Sequence, residues 1–180
     1  MISRENEGKC LQGNKITLRE KDIADAINDY AWATDRELMR LDAGETCRMD
    51  FSTYLMEYPR GLATPNKIQF AVESPDGEHI GNCTCYNIDV RHKEAELGIL
   101  IGKREYWGKG YGLDAVQTMI RHISQELGIE RVLLHTLEWN IRARECFERC
   151  GFIECGRIVR QGQEFIKMEV LASAMLDQIN

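Results

Sequence analysis

Proline is scarce in this sequence. It occurs three times in 180 residues, as Pro59, Pro65 and Pro75, so the chain beyond Pro75 lacks the strongest breaker of helices and sheet ladders. Dense regular structure is expected there. Long apolar runs are also missing. No stretch approaches the ~18 uninterrupted apolar residues of a membrane span, and the opening residues are polar, with no apolar run to serve as an export signal. The expectation is a cytoplasmic protein with no membrane partner. Basic residues are outnumbered, 23 Lys and Arg against 29 Asp and Glu, which leaves a net charge of −6. That balance argues against the broad basic surface used in sequence-independent nucleic-acid binding, so no nucleic-acid partner is expected, and an amine ligand suits it better. The spacing CxxC is absent as well. Seven cysteines, an odd number, are read as free thiols, and no metal is expected.

The length suits one domain over residues 1–180, with a core of about 15–171 behind a polar extension of 1–14. Ile16–Arg19 reads as a strand. Asp22 then caps a helix whose apolar residues Ile23, Ala26, Ile27, Tyr30 and Ala31 recur at helical spacing. Phe51–Tyr58 is a second helix, and Arg60–Lys67 is a loop. Ile68–Glu73 and Ile80–Val90 form a hairpin around Pro75-Asp76-Gly77, and Glu94–Gly102 is the next strand. Gly112–Leu127 carries an apolar stripe at Leu113, Val116, Ile120, Ile123 and Leu127, the pattern of a helix packed on a sheet. Arg131–Leu137 is a strand in which His135 reads as a hydrogen-bonded core residue. Asn140–Cys150 is a short helix, and Phe152–Arg160 with Glu164–Val170 is a closing antiparallel pair. The order β-α-α-β-β-β-α-β-α-β-β describes a mixed α/β layer with about seven strands.

The segment Trp107-Gly108-Lys109-Gly110-Tyr111-Gly112 lies between a strand and a long amphipathic helix. Glycines there let the backbone approach a ligand, and the helix N-terminus adds partial positive charge, so the pair suits a phosphate or pyrophosphate. Lys103, Arg104 and Lys109 add cations nearby. The dinucleotide fingerprint G-x-G-x-x-G is not present, because these residues give G-x-G-x-G. The P-loop is not present either, because no Gly-Lys-Ser or Gly-Lys-Thr occurs.

Three blocks together carry a resemblance: Glu96–Gly102, Tyr106–Gly112, and Asn140-Ile141-Arg142-Ala143 ending at Gly151-Phe152. They resemble the GNAT superfamily of acyl-CoA-dependent N-acetyltransferases, within it the branch of ribosomal-protein N-terminal and polyamine acetyltransferases. The resemblance implies a mixed, mostly antiparallel sheet whose fourth and fifth strands, Glu94–Gly102 and Arg131–Leu137, splay apart, with flanking helices. It implies acetyl-CoA as co-substrate. Its pantetheine arm would pair with Ile99, Leu100 and Ile101, and its pyrophosphate would sit on Trp107, Gly108, Lys109, Gly110, Tyr111 and Gly112. Trp107 stands where the family usually has Gln or Arg. Asn140 occupies a position that commonly contacts the cofactor. Homodimers are common among similar proteins, although no pattern here marks an interface.

The same resemblance assigns chemistry. Glu96 stands where the family often places a carboxylate base, with Glu94 in reserve. The family's proton-donating tyrosine is replaced by Phe147, which has no proton to give. Cys146, about 100 degrees further round the helix, is a poor substitute. The acceptor would be a primary amine. An α-amine costs roughly 1 kcal/mol to deprotonate at neutral pH and a lysine-type amine about 4, so a weak or water-relayed base suffices for the first; the missing tyrosine and the branch resemblance imply a protein or peptide α-amine ahead of a polyamine or other small amine. A CoA-binding module without catalysis is the reading of another class. The residues around Trp32–Leu62 carry no readable acceptor motif.

Overall fold

A computed structural model describes residues 10–177. In chain order the elements are β1 (Cys10–Gln12), β2 (Thr17–Glu20), a 3-10 turn at Ile23–Asp25, α1 (Ala26–Thr34), α2 (Arg36–Leu41), α3 (Phe51–Leu62), β3 (Ile68–Glu73), β4 (His79–Asp89) and β5 (Glu94–Ile101). A second 3-10 turn at Arg104–Tyr106 leads to α4 (Tyr111–Leu127), β6 (Arg131–Leu137), α5 (Ile141–Arg149), β7 (Ile153–Arg160), β8 (Gln163–Leu171) and α6 (Ala172–Asp177). The strands join one sheet in the order β1-β2-β3-β4-β5-β6-β8-β7. Every pair is antiparallel except β5 with β6. Among the described residues no helix is long and apolar enough to cross a membrane.

Among the described residues the sheet has eight strands rather than about seven. The extra one, β1, falls in the polar extension expected at 1–14, whose residues 1–9 lie outside the described residues. It forms because the turn after it is tied down. The buried carboxylate of Asp114 accepts N–H bonds from Asn14, Lys15 and Ile16 at 3.1, 2.6 and 3.1 Å. Two short helices, α2 and α6, also escaped the sequence reading. The second helix continues through Pro59 to Leu62, which shortens the expected loop; Pro59 lies on the exposed face, and its own carbonyl accepts from the Ala63 N–H at 3.1 Å.

The core lies between the sheet and α4. Val116, Met119, Ile120 and Ile123 are fully buried against Leu18, Phe70, Val72, Ile80 and Leu97, each such side chain contributing about 1.5–3 kcal/mol of transfer free energy. The first helix departs from its expected stripe. Ile23 and Ile27 are 52% and 65% exposed, whereas Asp25, Ala26, Asp29 and Trp32 face inward. The two carboxylates tolerate burial because cations meet them: Arg19 reaches Asp25 at 2.8 Å, and Lys21 pairs with Asp29. Trp32 lies flat against Gly102, where an added Cβ would come within 2.1 Å of the indole. With Leu38 and Met39, Trp32 packs α1 and α2 onto Leu100 near the end of β5 and onto Trp107 beyond the second 3-10 turn.

The feature that organises everything else is a fork. β5 and β6 pair only over Glu94–Glu96 with Arg131–Leu133. Beyond that point β5 stays bonded to β4 out to Ile101, and β6 stays bonded to β8 out to Leu137. Each strand is held on its outer side, so the two part in the middle of the sheet. The edge of β5 from Leu97 to Ile101 that faces β6 then has no strand partner.

Candidate functional site

Two cavities meet at the fork. One, of about 270 Å³, is walled by the end of β5, the glycine loop, the start of α4 and one face of α5. The other, of about 620 Å³, is walled by β4, β5 and β6. They open on opposite faces of the sheet. Cys83 on β4 faces α4, its thiol 3.9 Å from the Ala115 carbonyl. Side chains alternate along a strand, so Asn82, Thr84 and Tyr86, which line the larger cavity, point the other way. Leu41, Asp42, Ile99, Leu100, Asn140, Ala143 and Phe147 belong to both walls.

The smaller cavity begins at the glycine loop. Gly108 and Gly110 have φ of 70° and 87°, left-handed values that cost an L-residue roughly 1–2 kcal/mol. No side chain caps α4 at Gly110, so its first N–H groups and its dipole remain available to an anion. The loop is fixed from behind by Lys15, whose ammonium donates to the Lys109 carbonyl at 2.9 Å. Trp107 fills the place of a polar side chain with a different job. Its indole N–H donates to the Ile101 carbonyl at 2.6 Å, and the Arg142 guanidinium stacks 3.5 Å from its ring centroid. Arg142 and Arg149 therefore supply positive charge to this wall. Lys103 and Arg104 do not, because Glu78 takes the first, while Asp35 and Glu37 take the second at 2.9 and 2.8 Å. The uncapped helix end, the two left-handed glycines and the cationic wall fit a diphosphate, and the open edge of β5 fits an amide-bearing arm.

At the junction, buried Asn140 caps α5 by accepting from the Ala143 N–H at 3.3 Å and donates to the Leu41 carbonyl at 3.2 Å. That second bond holds the end of α2, and with it Asp42, beside the fork. Asp42 is open to solvent through the cleft, yet the surrounding walls push its carboxyl up to about 6. Phe147 presents a ring to both cavities. Cys146 lines the smaller one only; its interaction with the neighbouring Cys150 side chain holds its pKa below that of an ordinary thiol.

Glu96 lies on the same face as Tyr86, its cross-strand partner. It is not in either wall. Its carboxylate accepts from the Asn87 amide at 3.2 Å, bonds the Tyr86 phenol, whose ionisation it helps push up to about 12 after burial, and lies 3.6 Å from His135 Nδ1. Tyr86 and His135 do line the larger cavity, so Glu96 stands one side chain behind it. His135 is a cavity residue rather than a hydrogen-bonded core histidine, and burial holds its ring below the usual imidazole range.

Of the sequence-derived positions, Ile99, Leu100, Ile101, Trp107, Gly108, Gly110, Tyr111, Gly112 and Asn140 come together in the smaller cavity. Lys109 contributes its backbone and Glu96 stays behind the wall. Sequence reasoning missed the junction role of Asp42, which lies in the stretch Trp32–Leu62 where no acceptor motif is readable, and it placed Lys67 only at the end of a loop. The helical spacing of Leu38 and Leu41 just before Asp42 was the available signal.

An acetyltransferase (GNAT) domain model matches residues 15–153. A spermidine N-acetyltransferase of Vibrio cholerae serotype O1 is 28% identical over 116 residues, 61% of this chain and 66% of that protein. YdaF of Bacillus subtilis strain 168, a proposed ribosomal N-acetyltransferase, is 34% identical over 105 residues, 58% of this chain and 56% of that one. The chain thus spans just under two thirds of the first relative's length and just over half of the second's. The crystal structure of spermidine N-acetyltransferase from Vibrio cholerae with CoA and spermine superposes with a TM-score of 0.81 at 24% identity, covering 90% of this chain and 98% of that one.

Proposed function

This chain belongs to the GNAT acetyltransferase family, and from that premise we propose that it transfers acetyl from acetyl-CoA to the primary amine of a small acceptor. The whole chain acts as one such domain. One observation carries the reading: the two cavities open on opposite faces of the sheet and share a wall at the β5–β6 fork. A thioester reached from one side and an amine reached from the other would meet there, and attack would be direct, with no covalent enzyme intermediate.

Acetyl-CoA occupies the smaller cavity in this reading, with its pyrophosphate at Gly108–Gly112 and its pantetheine along Ile99–Ile101. A free β5 N–H stabilises the oxyanion. The amine enters by the larger cavity and gives its proton to a base, its nitrogen bonds the thioester carbon, and the carbon–sulfur bond breaks to release CoA thiolate. Asp42 serves as base better than Glu96 does, because Asp42 is in both walls and its raised carboxyl is a stronger proton acceptor than an ordinary one. Glu96 then orients Tyr86 and His135. Phe147 leaves the thiolate to depart unprotonated or to take a proton from water.

The spermidine acetyltransferase relatives support a small amine better than the protein or peptide α-amine expected from the resemblance. The test is thiol release from acetyl-CoA against polyamines, amino acids, aminoglycosides and ribosomal N-terminal peptides, with acetyl-CoA binding followed by calorimetry. Turnover on a small amine supports the proposal. Turnover on peptides alone restores the N-terminal reading, and binding without any turnover favours a non-catalytic CoA-binding module.

A further inference from the structure

The charges of the larger cavity differ from those a bare polycation would select. Among the described residues of its wall, Asp42 is the one carboxylate, and Lys67 supplies an ammonium. Lys67 is half-buried at the entrance to β3, held there by Asn66 in a left-handed conformation with φ of 56°. Burial and the like charge of Lys21 both disfavour its ammonium, and no carboxylate compensates. Behind the wall, Glu96 is taken up by Asn87, Tyr86 and His135 rather than by Lys67, and Asp29 is already committed to another cation. Asp29 takes Lys21, the Tyr58 hydroxyl at 2.6 Å and the Asn82 amide at 2.8 Å.

A cation that loses water without gaining a counter-ion is costly, and an anion brought by a ligand removes that cost. The Thr84 and Thr136 hydroxyls share the wall and can donate to the same anion. A polyamine does the reverse, because it sets like charge against Lys67. Building on the transferase reading above, we propose that the acceptor is a small amine that also carries an anionic group, a carboxylate or a phosphate. Lys67 receives the anion, and the amine lies toward Asp42 and the fork.

Matched acceptors isolate the anion. Ornithine and putrescine differ by one carboxylate, as do lysine and cadaverine; phosphoethanolamine and ethanolamine differ by one phosphate. Within at least one pair, kcat/KM is expected to favour the anionic member by about 10- to 100-fold, the range for one charge-assisted hydrogen bond. The favoured pair tells carboxylate from phosphate. In Lys67→Met that ratio should fall to about one through KM, in Lys67→Arg it should persist, and in Lys67→Glu it should invert. A wild type that prefers putrescine, cadaverine or spermidine overturns the proposal while leaving the transferase reading intact, and so does a ratio indifferent to Lys67→Met. No turnover on any pair, while another amine of the wider panel is acetylated, overturns the proposal alone; acetyl-CoA binding with no turnover on the pairs or on that panel overturns both.

Discussion

Replacing Asp42 by asparagine separates the two candidate bases. The structure puts the Asp42 carboxyl near 6, so about one tenth of it is ionised at pH 5, half at pH 6 and about nine tenths at pH 7. A small acceptor amine of pKa above 9 loses its proton with a slope of one over the same range. If both groups must be deprotonated, log kcat/KM should climb with a slope of about two below pH 6 and about one above it. Asp42→Asn should retain the single slope of the amine and lose about 10- to 1000-fold in kcat/KM near pH 7.5. Thiol release between pH 4.5 and 8.5, at saturating acetyl-CoA, reads both quantities. Stability guards against a trivial explanation. A carboxyl raised by the fold above its ordinary value binds more protons in the native than in the unfolded state between those values, so its contribution falls as pH rises through the window from about 4 to 6. Asp42→Asn should thus melt no lower than the wild type at pH 7. A break near pH 6 that survives in Asp42→Asn, or a wild type with none, would refute the assignment and return the role to Glu96 or water.

Other substitutions test the proposed cofactor wall and its supports. Gly110→Trp, which puts a bulky side chain where φ is 87° and the loop faces the cavity, should abolish acetyl-CoA binding by calorimetry while the far-ultraviolet circular dichroism spectrum stays native. Trp107→Ala removes both the bond to the Ile101 carbonyl and the Arg142 stack, and should raise KM for acetyl-CoA by about 10-fold or more, as expected for about 1.4 kcal/mol or more of lost binding. Asp114→Ala leaves three backbone N–H groups without their acceptor, which should cost about 3 kcal/mol or more and lower Tm by roughly 6–12 °C in a melting scan.

Much of this fold is legible in the sequence because its signals are local. The stripe on α4, the turn at Pro75-Asp76-Gly77 and the glycines before Tyr111 each encode their structure within a few residues. What stays hidden depends on partners far along the chain. β1 exists because Asp114, about a hundred residues away, collects the N–H groups of the turn beside it. The inward turn of Asp25 and Asp29 in place of Ile23 and Ile27 depends on Arg19 and Lys21 arriving from β2 and its end. The site divides the same way. The glycine loop is a contiguous motif, whereas Asp42 becomes a junction residue only because Asn140 reaches the Leu41 carbonyl. The six-residue α2 that carries it there relies on a single cap, Asp35, which accepts from the Glu37 and Leu38 N–H groups at 2.9 and 3.0 Å.

The fork also bears on how molecules come and go. With one mouth on each face of the sheet, under the proposed reading neither reactant would need the other to leave before it could enter, and spent CoA and acetylated amine would have separate exits. Traffic through such a site need follow no compulsory order. A compound that joins an amine to CoA through a short bridge at the fork would fill both mouths at once. Its second half would bind at an effective concentration set by the bridge, in the millimolar range for a short flexible one, so the gap between two strands becomes the handle by which a single ligand could grip both sides of the protein.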